Sequence, residues 1–538
     1  MVVRLFVTEQ QKHSRSLIGI ASIVAAATLL SKVVALIRQQ AIAATFGTGD
    51  AFNGYNYAYL IPGFLLVLLG GVNGPIHSAI VTVLAKRDKS QAAHLVETTT
   101  TLLSLVLLFL AVGLFCFADF FIYLVGPKLN PIAHAIATEQ LRIMAPMAIF
   151  SGLIGIGFGT LNTANQYWLL SISPVFSSIT IIIGIAILYL QLGNKIISPQ
   201  FALLGGQILA WGTLAGAILQ WIVQLIVQWR LKLGTLRLRF DFRSAGVQEV
   251  IKLMTPAIFA SGMLQINLYT ALFFASPIPG AAAAFNYANL IVQTPLGIIS
   301  NVILLPLLPM LSQLSDPADW GNLKLRIRQG LLLSAITMLP LGALFIALAV
   351  PIVQVIYQRG AFKQADSQLV ASVLMAYGVG MFVYLARDVL VRVFYALGDG
   401  DTPFRVSMVN IFLNALLDFF LVTPFGAPGI TLATVLVNIT STIMFLWLLN
   451  RKLNGLPLRE WSLPIFSLTA SSFVAGVVSW LTLWACQQLW DSNLFLLQLL
   501  QLSLSGLVGI GVFTLIVARM KLPEFDILVS RFKTGARN

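Results

Sequence analysis

AFNGYNYAYLIPG, residues 51–63, returns about 230 positions later as AAFNYANLIVQTPLG, residues 283–297. Asn56-Tyr57-Ala58 and Leu60-Ile61 recur as Asn286-Tyr287-Ala288 and Leu290-Ile291, with one free position between the two groups. Other phrases align at similar offsets. VLAKRD (83–88) falls on LSQLSD with one residue of slack, and TLNTANQYW (160–168) matches the pattern of ALGDGDTPF (396–404) at an offset of 236. Each match sits where one apolar run gives way to the next. Chance similarity in an apolar chain would not respect those places, so the first half of the chain reads as a copy of the second.

Composition says what kind of protein was duplicated. Of 538 residues, 58% are hydrophobic and 10% are charged, with a mean hydropathy of +0.89. Soluble domains carry about 25% charged residues. The class is a polytopic membrane protein. Its apolar runs are too long for the strictly alternating strands of about 10 residues that build a membrane barrel. Cys116 and Cys486 lie in apolar runs and form neither a disulfide framework nor a metal pattern. The net charge of +14 does not indicate a nucleic-acid binder, because the basic residues sit in short loops between apolar segments.

Fourteen helices are predicted, at 17–46, 50–85, 91–126, 132–163, 167–192, 198–230, 246–275, 280–315, 320–358, 364–398, 402–424, 426–453, 459–487 and 494–521. Breaks fall at Gly126-Pro127, Ser276-Pro277 and Gly426-Ala427-Pro428. With the N-terminus inside, the inner loops and termini hold 23 Lys and Arg; the outer loops hold four, Lys128, Lys195, Arg359 and Lys363. That bias puts both termini in the cytoplasm. The apolar run near the N-terminus is longer than a signal-peptide core and continues through Lys32 and Arg38, so it is expected to be retained.

The expected fold is all-α, with two pseudo-symmetric six-helix lobes in the same orientation plus two extra C-terminal helices. A cytoplasmic N-terminus (1–16) precedes the N-lobe (17–230). A basic loop (231–245) leads to the C-lobe (246–453). The last two helices occupy 459–521, and 522–538 is a cytoplasmic tail. Parallel repeats of this kind enclose substrate sites near mid-membrane.

Charge inside the spans carries the chemistry. Lys32, Arg38, Arg142, Lys252, Arg387 and Arg392 remain within predicted helices. Lys252 and Arg392 lie near inner ends and can snorkel. Arg142 has Glu139 three residues before it, a spacing that permits a pair. Arg387 neighbours Asp388, a possible gating element or ion pair, although adjacent residues diverge by about 100° on a helix. Lys32 and Arg38 are about 9 Å apart along helix 1 at 1.5 Å per residue, and that helix holds no acid. At about 2.5–3.5 kcal/mol each at mid-bilayer, the two cost roughly 5–7 kcal/mol against lipid. Either water and an anionic ligand solvate them, or acids such as Asp388 and Asp418 on other helices pair with them.

Gly70-Gly71-Val72-Asn73-Gly74-Pro75 should loosen or bend helix 2, which makes Gly74 and Pro75 a candidate hinge, and close helix packing by the small residues is an equal reading. GIGFGTLN (155–162) follows no strand and reads as helix packing, not as a nucleotide loop. No P-loop, HExxH or nucleophile elbow occurs, and His13, His77, His94 and His134 have no metal spacing. Neither an enzyme, a metal nor another cofactor is expected.

Taken together, SKVVALIRQQAIAATFGTG (31–49), GTLNTANQYW (159–168), YQRGAF (357–362) and FYALGDGDTP (394–403) resemble the MurJ/MviN family. These are lipid II flippases of the multidrug/oligosaccharidyl-lipid/polysaccharide exporter superfamily. The resemblance implies fourteen helices in two lobes, alternating access, and a groove for a polyprenyl tail formed with helices 13 and 14. It implies, as substrate, undecaprenyl-pyrophosphate-linked disaccharide-pentapeptide moved to the outer leaflet of the bacterial plasma membrane for cell-wall synthesis. Membrane lipids and cell-wall synthesis proteins are the other partners it suggests. Lys32 and Arg38 match the two basic positions of the family's first helix, and Asn53, Asn289 and Gln293 fall at cavity positions. There the chain departs from the pattern. Asn53 replaces a usual aspartate, Asn289, Leu290 and Gln293 stand where an acid, an arginine and a second acid are usual, and Leu66 or Val67 stands near an expected arginine. Two alternatives follow: a flippase or exporter for other lipid-linked or amphipathic cargo, and a non-transporting scaffold for wall assembly.

Overall fold

The computed structural model describes residues 26–525 apart from 72, 73, 86, 88, 165, 235, 236, 264 and 491–493. The expectations for residues 1–25, including the retained N-terminal run, and for the tail beyond 525 lie outside the described residues. So do Val72, Asn73 and Lys86.

Among the described residues there are helices and turns but no strands. The chain runs through α1 (Ala26–Phe46), α2 (Asp50–Leu68), α3 (Pro75–Leu84), α4 (Lys89–Cys116), α5 (Ala118–Val125), α6 (Pro131–Met144), α7 (Met147–Thr163), α8 (Tyr167–Ile172), α9 (Pro174–Leu192) and α10 (Ala202–Arg230). It continues through α11 (Ala245–Met263), α12 (Ile266–Ala275), α13 (Ala281–Ser312), α14 (Trp320–Ala347), α15 (Ala349–Tyr357), α16 (Gln364–Ala396), α17 (Asp401–Phe425), α18 (Ala427–Lys452), α19 (Leu458–Leu489) and α20 (Phe495–Arg519). Element ends follow local chemistry. Gly47, at φ +54, closes α1 and donates its N–H to Ala43. Asn130 caps α6 by accepting from the Ala133 N–H at 2.7 Å, with Pro131 at the first helical position.

Eleven helices among the described residues are long and apolar enough to cross a membrane, and the α6–α7 pair, bent by 45°, makes a twelfth. The other two predicted spans are α2–α3 and α11–α12, each divided into two pieces, so the count is compatible with fourteen. The protein is an all-helical, multi-pass membrane protein. Several predicted spans are not straight rods. Pro75, Pro146 and Pro174 stand at three of the breaks, where a missing N–H and the ring end the helical ladder. The α4–α5 break at Phe117 has no such cause in its sequence. Hydropathy is blind to all of them, because both flanks are apolar.

By packing, the chain divides into two units, Met1–Gly280 with Arg359–Phe362, and Ala281–Gln358 with Lys363–Asn538. In the first, α2 packs on α6, α3 and α4 on α7, and α9 on α10. A core of Leu65, Leu69, Ile76, Ile80, Val83, Leu114 and Ile156 fills the space between them. Gly155 and Gly159 on α7 allow this approach. A Cβ at Gly155 would lie 1.9 Å from the Leu69 carbonyl oxygen, and one at Gly159 2.6 Å from Ile80. The GIGFG run is thus a packing face. Helices α11 and α12, which the repeat assigns to the second copy, pack in this unit. The Tyr57 hydroxyl donates to the Leu272 carbonyl at 3.1 Å, Arg87 pairs with Glu249 at 3.3 Å, and Arg239 on the basic loop pairs with buried Glu97 at 2.5 Å. Part of YQRGAF also belongs here. Ala361 N–H donates to Ala44 O at 2.7 Å, and Gly360, at φ +58, sits where a Cβ would come within 2.2 Å of that same oxygen.

In the second unit α14 packs on α16, α16 on α18, and α19 on α14 and α20. The repeated phrase has one role in both units. Tyr57 and Tyr287 are fully buried near the start of α2 and of α13, as are Ala58 and Ala288. Tyr287 packs its ring 4.8 Å from that of Tyr357, whose hydroxyl donates to the Tyr287 carbonyl. The Tyr-Ala pair of the duplicated phrase is core in both units.

Candidate functional site

Lys32 and Arg38 lie on α1, of which only a third is buried. Lys32 is exposed, and Arg38 is partly buried. Neither forms an ion pair among the described residues, and Arg38 Nε is buried with no hydrogen-bond partner. Arg38 is within electrostatic reach of Tyr55 and Tyr59, whose rings stack at 5.5 Å. Tyr55 is held in turn by a 2.8 Å bond to Thr213. A guanidinium so placed still has most of its donors to offer, and it matches a two-oxygen anionic group. Asn53 is different. It is only 3% exposed, so it packs within the unit and does not face open space.

Gly74 caps the N-terminus of α3 and Pro75 is its first residue, so the glycine-rich stretch is a complete interruption of helix 2. The corresponding stretch of the second copy has no such break. α13 runs unbroken for 32 residues through Pro295, Pro306 and Pro309.

The second unit holds the other candidates. Asn289 and Gln293 are exposed on α13, four residues apart and on one face. Asn286, three residues before Asn289, extends that face, and it too is exposed. Such a stripe on an otherwise apolar helix fits a hydrated surface better than lipid. Its signal, polar residues at i, i+3 and i+7, was available in the sequence. On α16, Arg387 approaches Asp388 at 3.9 Å, beyond hydrogen-bond length, and Asp388 is 53% exposed. Arg387 Nε is buried without a partner. Arg392 does not merely snorkel: it donates to the Leu304 carbonyl of α13 at 3.1 Å. Arg142 pairs with Glu139 at 3.7 Å.

One acid offered above as a partner for Lys32 and Arg38 forms no ion pair with either among the described residues. Asp418 on α17 is fully buried, accepts from Asn414 Nδ2 at 2.8 Å, and has its other oxygen buried without a partner. The Thr431 hydroxyl on α18 is equally unpartnered. An intramembrane acid so placed is a functional candidate in its own right. The described residues bring no three metal-binding side chains together.

The model of the family "Lipid II flippase MurJ" matches residues 42–501. The chain belongs to the MurJ family. A protein of Synechocystis sp. named "Probable lipid II flippase MurJ" is 55% identical over 520 residues, which is 97% of this chain and 98% of that one. Among solved structures, "Lipid II flippase MurJ, inward closed conformation" superposes with a TM-score of 0.74 at 23% identity, covering 92% of this chain and 98% of that one. An inward-facing multidrug resistance MATE transporter of the MOP superfamily gives 0.54 at 17% identity, covering 84% and 99%. These likenesses establish the fold. The MurJ family match begins after Lys32 and Arg38, so the part given to those two residues rests on their geometry.

Proposed function

We propose that this protein flips lipid II, the polyprenyl-pyrophosphate-linked peptidoglycan precursor, from the inner to the outer leaflet of the plasma membrane by alternating access. The observation that carries the reading is 55% identity to a MurJ relative along nearly its whole length. Geometry supports it. A lipid-linked pyrophosphate is a compact dianion on an apolar tail, and the first unit offers two cations that form no ion pair among the described residues. The exposed amides of Asn289 and Gln293 suit the neutral parts of such a headgroup, because each provides both donors and acceptors. Arg387 with Asp388 serves in gating, and the break at Gly74-Pro75 is the hinge. The basic loops and both termini face the cytoplasm.

Three results test this. Depleting the protein should accumulate precursor on the inner leaflet, and undiminished translocation in its absence would refute the reading. Reconstitution with defined cargoes separates lipid II from other polyprenyl-linked saccharides. Neutralising Lys32 and Arg38 together separates a carrier, which should fail, from a scaffold, which should not.

A further inference from the structure

At the end of the second unit opposite its basic loops, α15, α19 and α20 enclose a cavity of about 260 Å³. Gln354 comes from α15, Gln487 and Trp490 from the end of α19, and Gln498 and Gln501 from the start of α20. Four lining residues are primary amides, and none is charged. Two of the four are committed. Gln501 donates to the Trp490 carbonyl at 3.0 Å and to the Cys486 carbonyl at 3.4 Å, fixing the approach of α20 to α19. Gln354 donates to Gln364 at 3.1 Å, which leaves its own carbonyl oxygen. The amides of Gln487 and Gln498 have no hydrogen-bond partner among the described residues. The Trp490 side of the cavity is open, since that residue is 43% exposed.

We propose that this cavity binds a neutral sugar ring. Each free amide offers two donors and a carbonyl acceptor, the pattern that matches hydroxyl groups, which both donate and accept. The indole supplies an apolar face for ring C–H groups and one N–H. A charged ligand would find no counter-charge among the described lining residues, and an acyl chain would strand the amides. The volume lies below the roughly 300–1,000 Å³ of ordinary ligand pockets, so it suits one ring and not an oligosaccharide. The ligand class is read from this lining alone. Only one possible source, the saccharide headgroup of a translocated lipid, rests on the proposed function; a free wall saccharide is the other.

The test uses the full chain in nanodiscs, free of sugar-headed detergents. Saturation-transfer NMR is run with N-acetylglucosamine and methyl glucoside, and with glucuronate as the charged control. Neutral sugars should give a signal that falls about tenfold in a Gln487→Leu/Gln498→Leu variant, the loss expected for neutral hydrogen bonds, with the melting temperature unchanged. Trp490→Ala should weaken the same signal. Equal signals in the wild-type protein and the double variant, or none from any neutral sugar, would overturn the proposal. Native mass spectrometry with lipid pyrophosphate, with and without its saccharide, decides the source. A preference for the sugar-bearing lipid that disappears in the double variant assigns the headgroup, and an unchanged preference assigns a free saccharide. A Lys32→Met/Arg38→Met variant should keep the neutral-sugar signal, so failure of the flippase reading and failure of this one are distinguishable.

Discussion

Replacing Arg38 with methionine keeps an unbranched stem of similar reach and removes every donor. In the structure this deletes a cation that no carboxylate among the described residues pairs with and whose Nε is buried without a partner. Removing one partner of a buried ion pair costs about 3–5 kcal/mol, because a charge is left stranded. Here nothing is stranded, so folding stability should hold within about 0.5 kcal/mol or rise. Anion binding should respond in the opposite way. A charge-assisted hydrogen bond is worth about 1.5–3 kcal/mol, or about 10- to 150-fold in affinity at roughly 1.4 kcal/mol per decade. Lys32→Met should behave alike, and the double variant should lose at least as much as the worse single. The assay is binding of a polyprenyl pyrophosphate in nanodiscs at several salt concentrations, with thermal melting of the same samples. An Arg38→Met protein that melts with a loss of about 3 kcal/mol or more, yet binds the anion normally, would show that the cation is structural and refute the reasoning.

Other expectations concern the frame around that site. Arg239→Ala should destabilise the first unit by about 2 kcal/mol, because Glu97 is buried and Arg239 only a third exposed; denaturation in mixed micelles measures it. Burial alone would raise the Asp399 carboxyl, but bonds from Lys452 Nζ at 2.6 Å and from the Thr402 N–H and hydroxyl outweigh it and hold the group below its ordinary value of 3.8. A depressed carboxylate stabilises above its unfolded value and ceases to as pH falls through its folded one. Asp399→Asn should therefore lower stability at pH 7 and lose that difference below pH about 4, as melting across pH would record. Gly155→Ala should cost about 1–3 kcal/mol, since its Cβ meets backbone, whereas Gly113→Ala, with nothing within 4 Å, should gain up to about 1 kcal/mol from helix propensity.

Much of this architecture was legible because a bilayer punishes unsatisfied backbone, so span ends are written in turn chemistry. Gly126-Pro127, Ser276-Pro277 and Gly426-Ala427-Pro428 all mark the ends of helices. Breaks inside spans were harder to see, because Pro146 and Pro174 lie between apolar flanks and hydropathy averages over them. Of the site, Lys32 and Arg38 declared themselves by cost, since no apolar helix carries two cations without reason. Asn53 could not be placed from its letters: an amide in an apolar helix serves equally to pack or to face water, and here it is buried. The surroundings of Asp418 could not be read from its letters for a related reason. Its character depends on Asn414 one turn back and on Thr431 of the next helix, and only the first of these is a matter of spacing. The glutamine cavity draws on α15, more than a hundred residues before the ends of α19 and α20 that complete it, and no local pattern announces it.

Three predicted spans, α2–α3, α6–α7 and α11–α12, contain no single piece long and apolar enough to cross, and all three lie in the first unit. Each joint is a place where a few dihedral angles can absorb a rotation that an unbroken cylinder would have to resist along its whole length. The first unit thus has ready-made places to bend, whereas α13, α16 and α19 of the second run for 32, 33 and 32 residues. In the proposed transport cycle a large headgroup would be accommodated by flexing at those joints, without any helix having to break.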